Sequence, residues 1–261
     1  MMAGLFQLVQ AELLKLSSTR TAFGLFIAAV GVSVLPAVLV MSLVPRTALS
    51  DGGASIAASG LTIVPILAVV FGILGMTNEY RHGTITYTYL ATPRRGLVMV
   101  VKLICYALVG AVVMVAAALL VVLSIAVIGA LRDVAVPWLA ASSLSDPQTL
   151  RDVGMFLLAT GLMTAFGVSL GALLRAQVPT VAGVVVWALA IEGIITVVKP
   201  RIGIYLPFAA FQQLTMGGSL RVGSDSGLPS LTRPEAFLVA IAYIAVFSIA
   251  AVFTSMRRDV T

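Results

Sequence analysis

Residues 101–128 read VKLICYALVGAVVMVAAALLVVLSIAVI, an apolar stretch whose one charged residue is Lys102. A transmembrane helix needs about 20 mainly apolar residues in succession, and this stretch is longer than that. It shows no alternation of polar and apolar residues, which a strand of an outer-membrane barrel would require. The stretch therefore predicts an α-helix that spans a membrane.

The same pattern recurs along the whole chain, in both directions from this stretch. Together with it, five further apolar stretches satisfy the length requirement for a spanning helix. The six predicted spans are 21–44, 57–76, 101–128, 153–173, 179–198 and 236–254. We expect an all-α integral membrane protein in which residues 1–261 form a single permease-like domain of six spans.

Composition supports this class and excludes a soluble enzyme. Of the 261 residues, 60% are hydrophobic and only 10% are charged, and the mean hydropathy is +1.11. An average soluble domain carries roughly 25% charged residues. The chain has too little polar surface to cover a water-soluble globule, whereas a protein embedded in lipid needs none along its spans.

The distribution of lysine and arginine predicts the orientation. One side, which holds the N-terminal segment, the loops around 77–100 and 174–178 and the C-terminus, carries nine cations and three acids, a net charge of +6. The other side carries seven cations and six acids, a net charge of +1. Cytoplasmic loops are enriched in lysine and arginine. Both termini are therefore predicted to be cytoplasmic, in the inner (plasma) membrane.

Residues 4–20 precede the first span and show a helical pattern of their own. Their apolar residues recur at three- and four-residue steps, and the intervening residues are polar. The apolar set is Leu5, Leu8, Val9, Leu13 and Leu16. This pattern predicts a helix that lies in the cytoplasmic membrane interface; a short solvated leader is the alternative.

Motifs for catalysis or metal binding are missing from the sequence. It contains no G-x-x-x-x-G-K-[ST] phosphate loop, and its single His and single Cys cannot form a metal cluster. A catalytic triad would have to use His82, which lies beside Arg81 with no acid nearer than Glu79. We expect a chain without enzymatic activity, without a cofactor or metal of its own, and without a nucleic-acid partner.

Glu192 is the one acidic residue inside a predicted span. Because an ionisable group at membrane depth is costly, such residues usually face a bundle interior or a cavity. One interpretation is a transport contact or proton site. The other is structural, with Glu192 packing in the bundle or pairing with Lys199 two turns on. Tyr205 begins the segment YLPF in the next loop, which predicts either a re-entrant or interfacial piece or an ordered loop.

The loop at 77–96, TNEYRHGTITYTYLATPRRG, is the most informative segment of the chain. Thr84 is placed to cap a short helix that continues through Leu90 and stops before Pro93. Such a helix would present Tyr87 and Tyr89, with the arginines that follow, to a soluble partner. The alternative is an anchor to anionic lipids through Arg94 and Arg95.

The order of several motifs resembles that of ABC-2 type transporter permeases, the membrane subunits of one class of ATP-binding-cassette exporters. The likeness covers nearly the whole chain. Its motifs are AELLKL at 11–16 with STRT at 18–21, EYRHGT at 79–84, LATPRR at 90–95, GALLRAQ at 171–177, Trp187 with Glu192, and YLPF at 205–208.

The resemblance implies a permease that works as two chains, as a homodimer, over two copies of a separate ATPase that binds ATP and Mg²⁺. It also implies that the loop at 79–95 contains the coupling helix that docks on the ATPase, and that short helices after span five cap the translocation path. The residues that would form the coupling site are Glu79, Arg81, His82, Thr84, Tyr87, Tyr89, Arg94 and Arg95. We expect an amphipathic substrate, such as a drug, antibiotic or lipid-like molecule, because the spans offer few polar side chains.

Two other classes of function stay open at this point. One is an ion- or proton-coupled secondary transporter that uses Glu192, although such proteins often show inverted repeats and more intramembrane charge. The other is a membrane assembly or anchoring protein. Gly167 and Gly171 form a G-x-x-x-G pair that favours close helix contact, with a dimer as one option.

Overall fold

A computed structural model describes residues 2–18, 20–49, 63–92, 94–134, 146–216 and 230–255 of the chain. Every regular element in these ranges is a helix. The predicted start of the second span at 57, the helix stop at Pro93, and the C-terminal charges at 257–259 lie outside the described residues. The all-α class is therefore confirmed for the described part of the chain.

The helices follow one another along the chain with short connections. They are α1 (Met2–Ser18), α2 (Arg20–Leu43), α3 (Val64–Arg81), α4 (Ile85–Ala91), α5 (Arg95–Leu131), α6 (Pro147–Leu174), α7 (Gln177–Val198), α8 (Pro200–Gly203), α9 (Pro207–Met216) and α10 (Arg233–Ala250). A single turn, Arg46–Ala48, follows α2, and α7 contains one π-helical turn at Trp187–Ile191. A second π-helical turn, Ala251–Ser255, continues α10.

Four helices are long and apolar enough to cross a membrane. They are Arg95–Leu131, Pro147–Leu174, Gln177–Val198 and Arg233–Thr254. These four contain the predicted spans 101–128, 153–173, 179–198 and 236–254. The prediction is confirmed for these stretches as helices of spanning length and hydropathy.

The first two predicted spans coincide with helices that are not in that group of four. The span at 21–44 matches α2, in which the apolar part that qualifies is the shorter Ile27–Leu43. The span at 57–76 overlaps α3, whose last turn is polar and ends in Glu79, Tyr80 and Arg81. A count of six spans is therefore a proposal, to which we return below.

The central helix of the bundle is α6. Of its most apolar window, 72% is buried, against 33% in α5, 28% in α10 and 11% in α7. It packs most extensively on α3 and α5, and it also contacts α9 and α10. The same helix therefore supports both the segment that leads to α4 and the short helices after α7.

Glycine allows α3 and α6 to approach closely. A Cβ atom on Gly72 would lie 2.0 Å from the carbonyl oxygen of Thr164, and one on Gly167 would lie 2.1 Å from that of Val69. Any larger residue at either position would force the two helices apart. Gly171 also faces α3, near Ile73. The G-x-x-x-G pair thus serves a contact within the chain, and dimerisation is not needed to explain it.

The contacts at the two ends of the bundle agree with the predicted division of the loops. At one end, Arg81 donates a hydrogen bond to Gln177 (3.3 Å), which joins the ends of α3 and α6–α7. At the other end, Arg132 donates to the carbonyl oxygen of Met41 (2.5 Å) and so joins the ends of α5 and α2. Each contact links residues that the predicted topology assigns to one side. Which end is cytoplasmic remains a prediction.

Candidate functional site

Helix α4 lies at one end of the bundle, between the end of α3 and the start of α5. Ile85 and Tyr89, one helical turn apart, are buried against the bundle, whereas Tyr87 and Leu90 are each 74% exposed. The predicted helix is confirmed at Ile85–Ala91. However, the Thr84 side chain makes no capping bond; its hydroxyl donates to the carbonyl oxygen of Glu79 at 3.5 Å.

The predicted site residues divide into an outward and an inward group. The exposed ones are Arg81, His82, Thr84, Tyr87 and Arg94, and the others are Glu79 and Tyr89, which are buried, and Arg95, which is half-buried. The prediction that Tyr89 faces a partner is therefore wrong. Its spacing from Ile85 places it on the inner face of α4, and the guanidinium of Arg95 lies 5.2 Å from the centroid of its ring.

Beneath α4, a buried charge cluster joins three helices that are distant in sequence. The Lys102 amino group of α5 donates to Oε2 of Glu12 on α1 at 2.7 Å and to Oε1 of Glu79 on α3 at 2.6 Å. The Lys102 side chain is fully buried, and Glu12 and Glu79 are 1% and 8% exposed. A charge in such surroundings is tolerated only when it is paired and hydrogen-bonded.

Lys15 extends this cluster to α4. Its amino group lies 3.0 Å from Oε1 of Glu12 and 3.2 Å from Oε1 of Glu79, and it donates to the hydroxyl of Thr88 on α4 at 3.2 Å. Two lysines and two glutamates make the cluster neutral overall. We use the name buried charge cluster for Glu12, Lys15, Glu79 and Lys102 from here on.

The charged forms of the outer members are favoured by this arrangement. Burial by itself raises the pKa of the Glu12 carboxyl, but the charges and hydrogen bonds of Lys102 and Lys15 outweigh it, so the pKa lies below its usual value. Burial lowers the pKa of Lys15, and Glu79 and Glu12 more than offset that effect, so this pKa is raised. Both groups therefore remain ionised near neutral pH.

Two tyrosines form a second contact between α3 and α4. The hydroxyls of Tyr80 and Tyr89 lie 3.5 Å apart, and the guanidinium of Arg175, at the end of α6, lies 5.2 Å from the centroid of the Tyr80 ring. Burial, together with the nearby Tyr80 and Glu79, raises the pKa of Tyr89. The hydroxyl stays neutral, and Arg175 and Arg95 each pack on one of the two rings.

Sequence reasoning missed Glu12 and Lys102, which it assigned only to the cytoplasmic charge count. Two signals were present. Lys102 is the one charged residue in an apolar stretch, and Glu12 follows Leu8 and Val9 by four and three residues, which places it on the apolar face of α1. A cation and an anion, each on an otherwise apolar face, are candidates for a buried pair.

Glu192 is buried and has a structural set of partners. Its Oε2 accepts a hydrogen bond from the indole N–H of Trp187 at 3.0 Å, and its Oε1 accepts from the backbone N–H of Ala209 in the first turn of α9. A carboxylate at the N-terminus of a helix satisfies an otherwise unpaired N–H group and interacts favourably with the helix dipole. The suggested pairing with Lys199 is wrong, because Ala209 and Trp187 occupy both carboxylate oxygens.

The segment around Tyr205 is a turn between two short helices. Tyr205 is exposed, and its carbonyl oxygen accepts a hydrogen bond from the hydroxyl of Tyr243 on α10 at 3.1 Å. In α9, Phe211 and Leu214 are buried. The alternative of an ordered loop is therefore wrong for 207–216, which forms a helix packed on α6 and α10.

Within the described ranges, no group of three His, Cys, Asp or Glu side chains is arranged to hold a metal ion. Comparisons of the chain with protein-family models and with curated proteins find no match. The features that bear on function are thus the exposed face of α4, the buried charge cluster beneath it, and the Glu192 contact after α7.

Proposed function

We propose that the chain is the membrane-spanning permease subunit of an ATP-driven exporter of the ABC-2 type. Two such chains would work over two copies of a separate ATPase, and ATP hydrolysis would belong to that partner. In this proposal the protein has six spans, with α2 and α3 as the first two, and both termini face the cytoplasm from the inner membrane.

The observation that carries this proposal is the construction of α4. It is a two-turn helix between two long helices, anchored through Ile85 and Tyr89, and it turns Tyr87 and Leu90 outward at 74% exposure. A tyrosine and a leucine exposed side by side on a firmly held helix suit a groove on a partner protein, because aromatic and apolar anchors supply most of the binding energy at interfaces.

The proposed mechanism follows from how α4 is attached. When the ATPase closes on ATP, its groove would carry the exposed face of α4 with it. The inner face of α4 is tied to α3 and α5, and α3 packs closely on α6, so a displacement of α4 would move packed helices together. Packed helices shift between discrete arrangements more readily than they deform.

Transport of an amphipathic substrate fits the remainder of the molecule. The described spans carry few polar side chains, and Glu192 is engaged by Trp187 and Ala209. In the proposal, α8 and α9 cap the outer end of the path. The same contacts weigh against the secondary-transporter alternative, because a carboxylate that holds a helix end is poorly placed to exchange protons.

The test is purification of the tagged chain from its native membrane in mild detergent, with mass spectrometry of the proteins that co-elute. We expect an ATPase with a phosphate-loop motif, and we expect the Tyr87→Ala/Leu90→Ala variant to lose it. Leu131→Ala is the matched control, because Leu131 is 76% exposed at the opposite end of α5. Recovery of the chain alone, also after crosslinking, would contradict the proposal.

A further inference from the structure

The buried charge cluster contains the one lysine of the described chain whose side chain is fully buried and bound to carboxylates of two other helices. We infer that Lys102 is the positioning residue of α4: it locks α1 and α3 to α5, and α1 in turn holds α4. The N-terminal helix is then a strut of the proposed coupling machinery and not only an interfacial anchor. The lock itself is independent of the proposed function, whereas its role in coupling rests on that function.

The need for both carboxylates follows from the burial of Lys102. Its amino group has Glu12 at 2.7 Å and Glu79 at 2.6 Å, and the surrounding part of α5 is apolar. Two buried acids balance this lysine only if Lys15 supplies a second positive charge. Removal of any member leaves an uncompensated charge in a place where water cannot readily solvate it.

The two carboxylates cannot substitute for each other, because they come from different elements. Glu12 lies in α1, and Glu79 lies two residues before the end of α3. The cluster is complete only when α1, α3 and α5 occupy their places at the same time. Docking of α1 is therefore coupled to the position of the last turn of α3, from which the chain enters α4.

The connection from the lock to α4 is direct and has two routes. Lys15 of α1 donates to Thr88, in the middle of α4, at 3.2 Å. On the other route, Tyr80 follows Glu79 in α3, and its hydroxyl lies 3.5 Å from that of Tyr89. Lys15 is partly exposed and adds a weaker contact than Lys102, since exposed ion pairs contribute little. Lys102 therefore determines the position, and Lys15 conveys it to α4.

The lock is tested on the isolated chain in nanodiscs by hydrogen exchange read by mass spectrometry. Glu12→Gln keeps the shape of the side chain and removes its charge. We expect amide exchange to become faster by about tenfold or more in residues 85–91 as well as in α1, with α10 unchanged. Asp152→Asn, which removes the ion pair at the opposite end, is the matched control and should leave α4 unchanged.

Two further variants keep the test informative if Glu12→Gln folds poorly. Glu12→Asp and Lys102→Arg retain the charges, so we expect exchange in 85–91 closer to that of the wild type. Faster exchange confined to α1, with α4 protected as before, would overturn the inference. Equal effects of Glu12→Gln and Asp152→Asn on α4 would overturn it too.

The coupling role needs a separate measurement with the co-purified ATPase. We expect Glu12→Gln to retain the bound ATPase and its KM for ATP, but to lose most of the substrate-stimulated increase in kcat. Loosened α4 with unchanged stimulation would leave the lock intact and refute its role in coupling. If no ATPase accompanies the wild-type chain, the proposed function and the coupling role both fail, and the exchange result still decides the lock.

Discussion

The two ends of the helical bundle place their charges in different ways. At the end that carries α4, Lys102 is completely buried and is shared by acids from two other helices. At the opposite end, Asp152 and Arg233 pair across α6 and α10 with side chains that are 38% and 18% exposed. Both ends join helices through charge, but only the first does so in the absence of solvent.

This difference teaches where the bundle is bound to move as a unit. A solvent-exposed ion pair can open at little cost, because water replaces the lost partner. A buried cluster cannot lose one member without leaving a charge that nothing neutralises. We therefore expect α1, α3, α4 and α5 to move together, while the helices at the other end are joined more loosely.

The largest effect is expected from Lys102→Met. It leaves the carboxylates of Glu12 and Glu79 close together with Lys15 as their one remaining cation, and we expect a loss of about 3–5 kcal/mol of stability. The thermal unfolding midpoint of the detergent-solubilised protein measures it. Lys199→Met, at an exposed position, is the control.

A second substitution sharpens the result for Lys102. In Glu12→Gln/Lys102→Met one of the two orphaned carboxylates is gone, so the double variant should be more stable than Lys102→Met alone, because contacting residues couple. Additive losses, or an unchanged midpoint in Lys102→Met, would show that the cluster is not a unit.

Acid should open the same end of the bundle. The folded pKa of Glu12 is lowered from its usual value of 4.5, because Lys102 and Lys15 together outweigh burial. The stability that Glu12 contributes is therefore fully present above pH 4.5 and is lost as the pH falls through the lower folded pKa. Glu79 accepts from the same two lysines, and Cys105 and Tyr106 lie nearby.

The measurement compares unfolding midpoints of the wild type and Glu12→Gln between about pH 7 and pH 3. The wild type should lose its advantage over the variant below pH 4.5. A constant difference over the whole range would mean that the Glu12 carboxylate is not what stabilises α1.

Glu192→Gln tests the contact after α7, with an intermediate effect. An amide presents one oxygen, so it can accept from Ala209 or from Trp187 but not from both, and we expect a loss of about 1–3 kcal/mol. The fluorescence of Trp187 should change with it. If the protein is instead a secondary transporter, this variant keeps its stability and loses gradient-driven flux in proteoliposomes.

The smallest effect is expected from Asp152→Asn. The pair with Arg233 is partly exposed, so its removal should cost less than about 1 kcal/mol. The unfolding midpoint should move little, and the exchange rate of α4 should not change. A loss as large as that of Lys102→Met would remove the contrast between the two ends.

The predicted helices and the structure agree because hydropathy acts locally. The boundaries of α5, α6, α7 and α10 follow from apolar runs that end at charges, and the short helix α4 follows from the spacing of its tyrosines and the proline beyond it. Sequence patterns of this kind record how a segment meets lipid or the bundle, and no knowledge of the partner helix is needed.

The candidate site was predicted only in part, for a reason that Tyr89 illustrates. The sequence placed it on a short helix with Tyr87, but which of two tyrosines faces inward depends on the neighbour that covers α4. Lys102 and Glu12 were counted as loop charges for the same reason. Their meeting joins residues far apart in sequence, and no local pattern specifies it.

Sequence alone determined that this is a helical chain built for lipid, with little charge in its spans and a cationic bias on one side, because composition and period depend on each residue separately. The tertiary structure decided which charges are buried and paired: Lys102 with Glu12 and Glu79, and Glu192 with Trp187 and Ala209. The energy of a buried charge depends on the groups within a few ångströms of it, and only the packing of the helices brings those groups there.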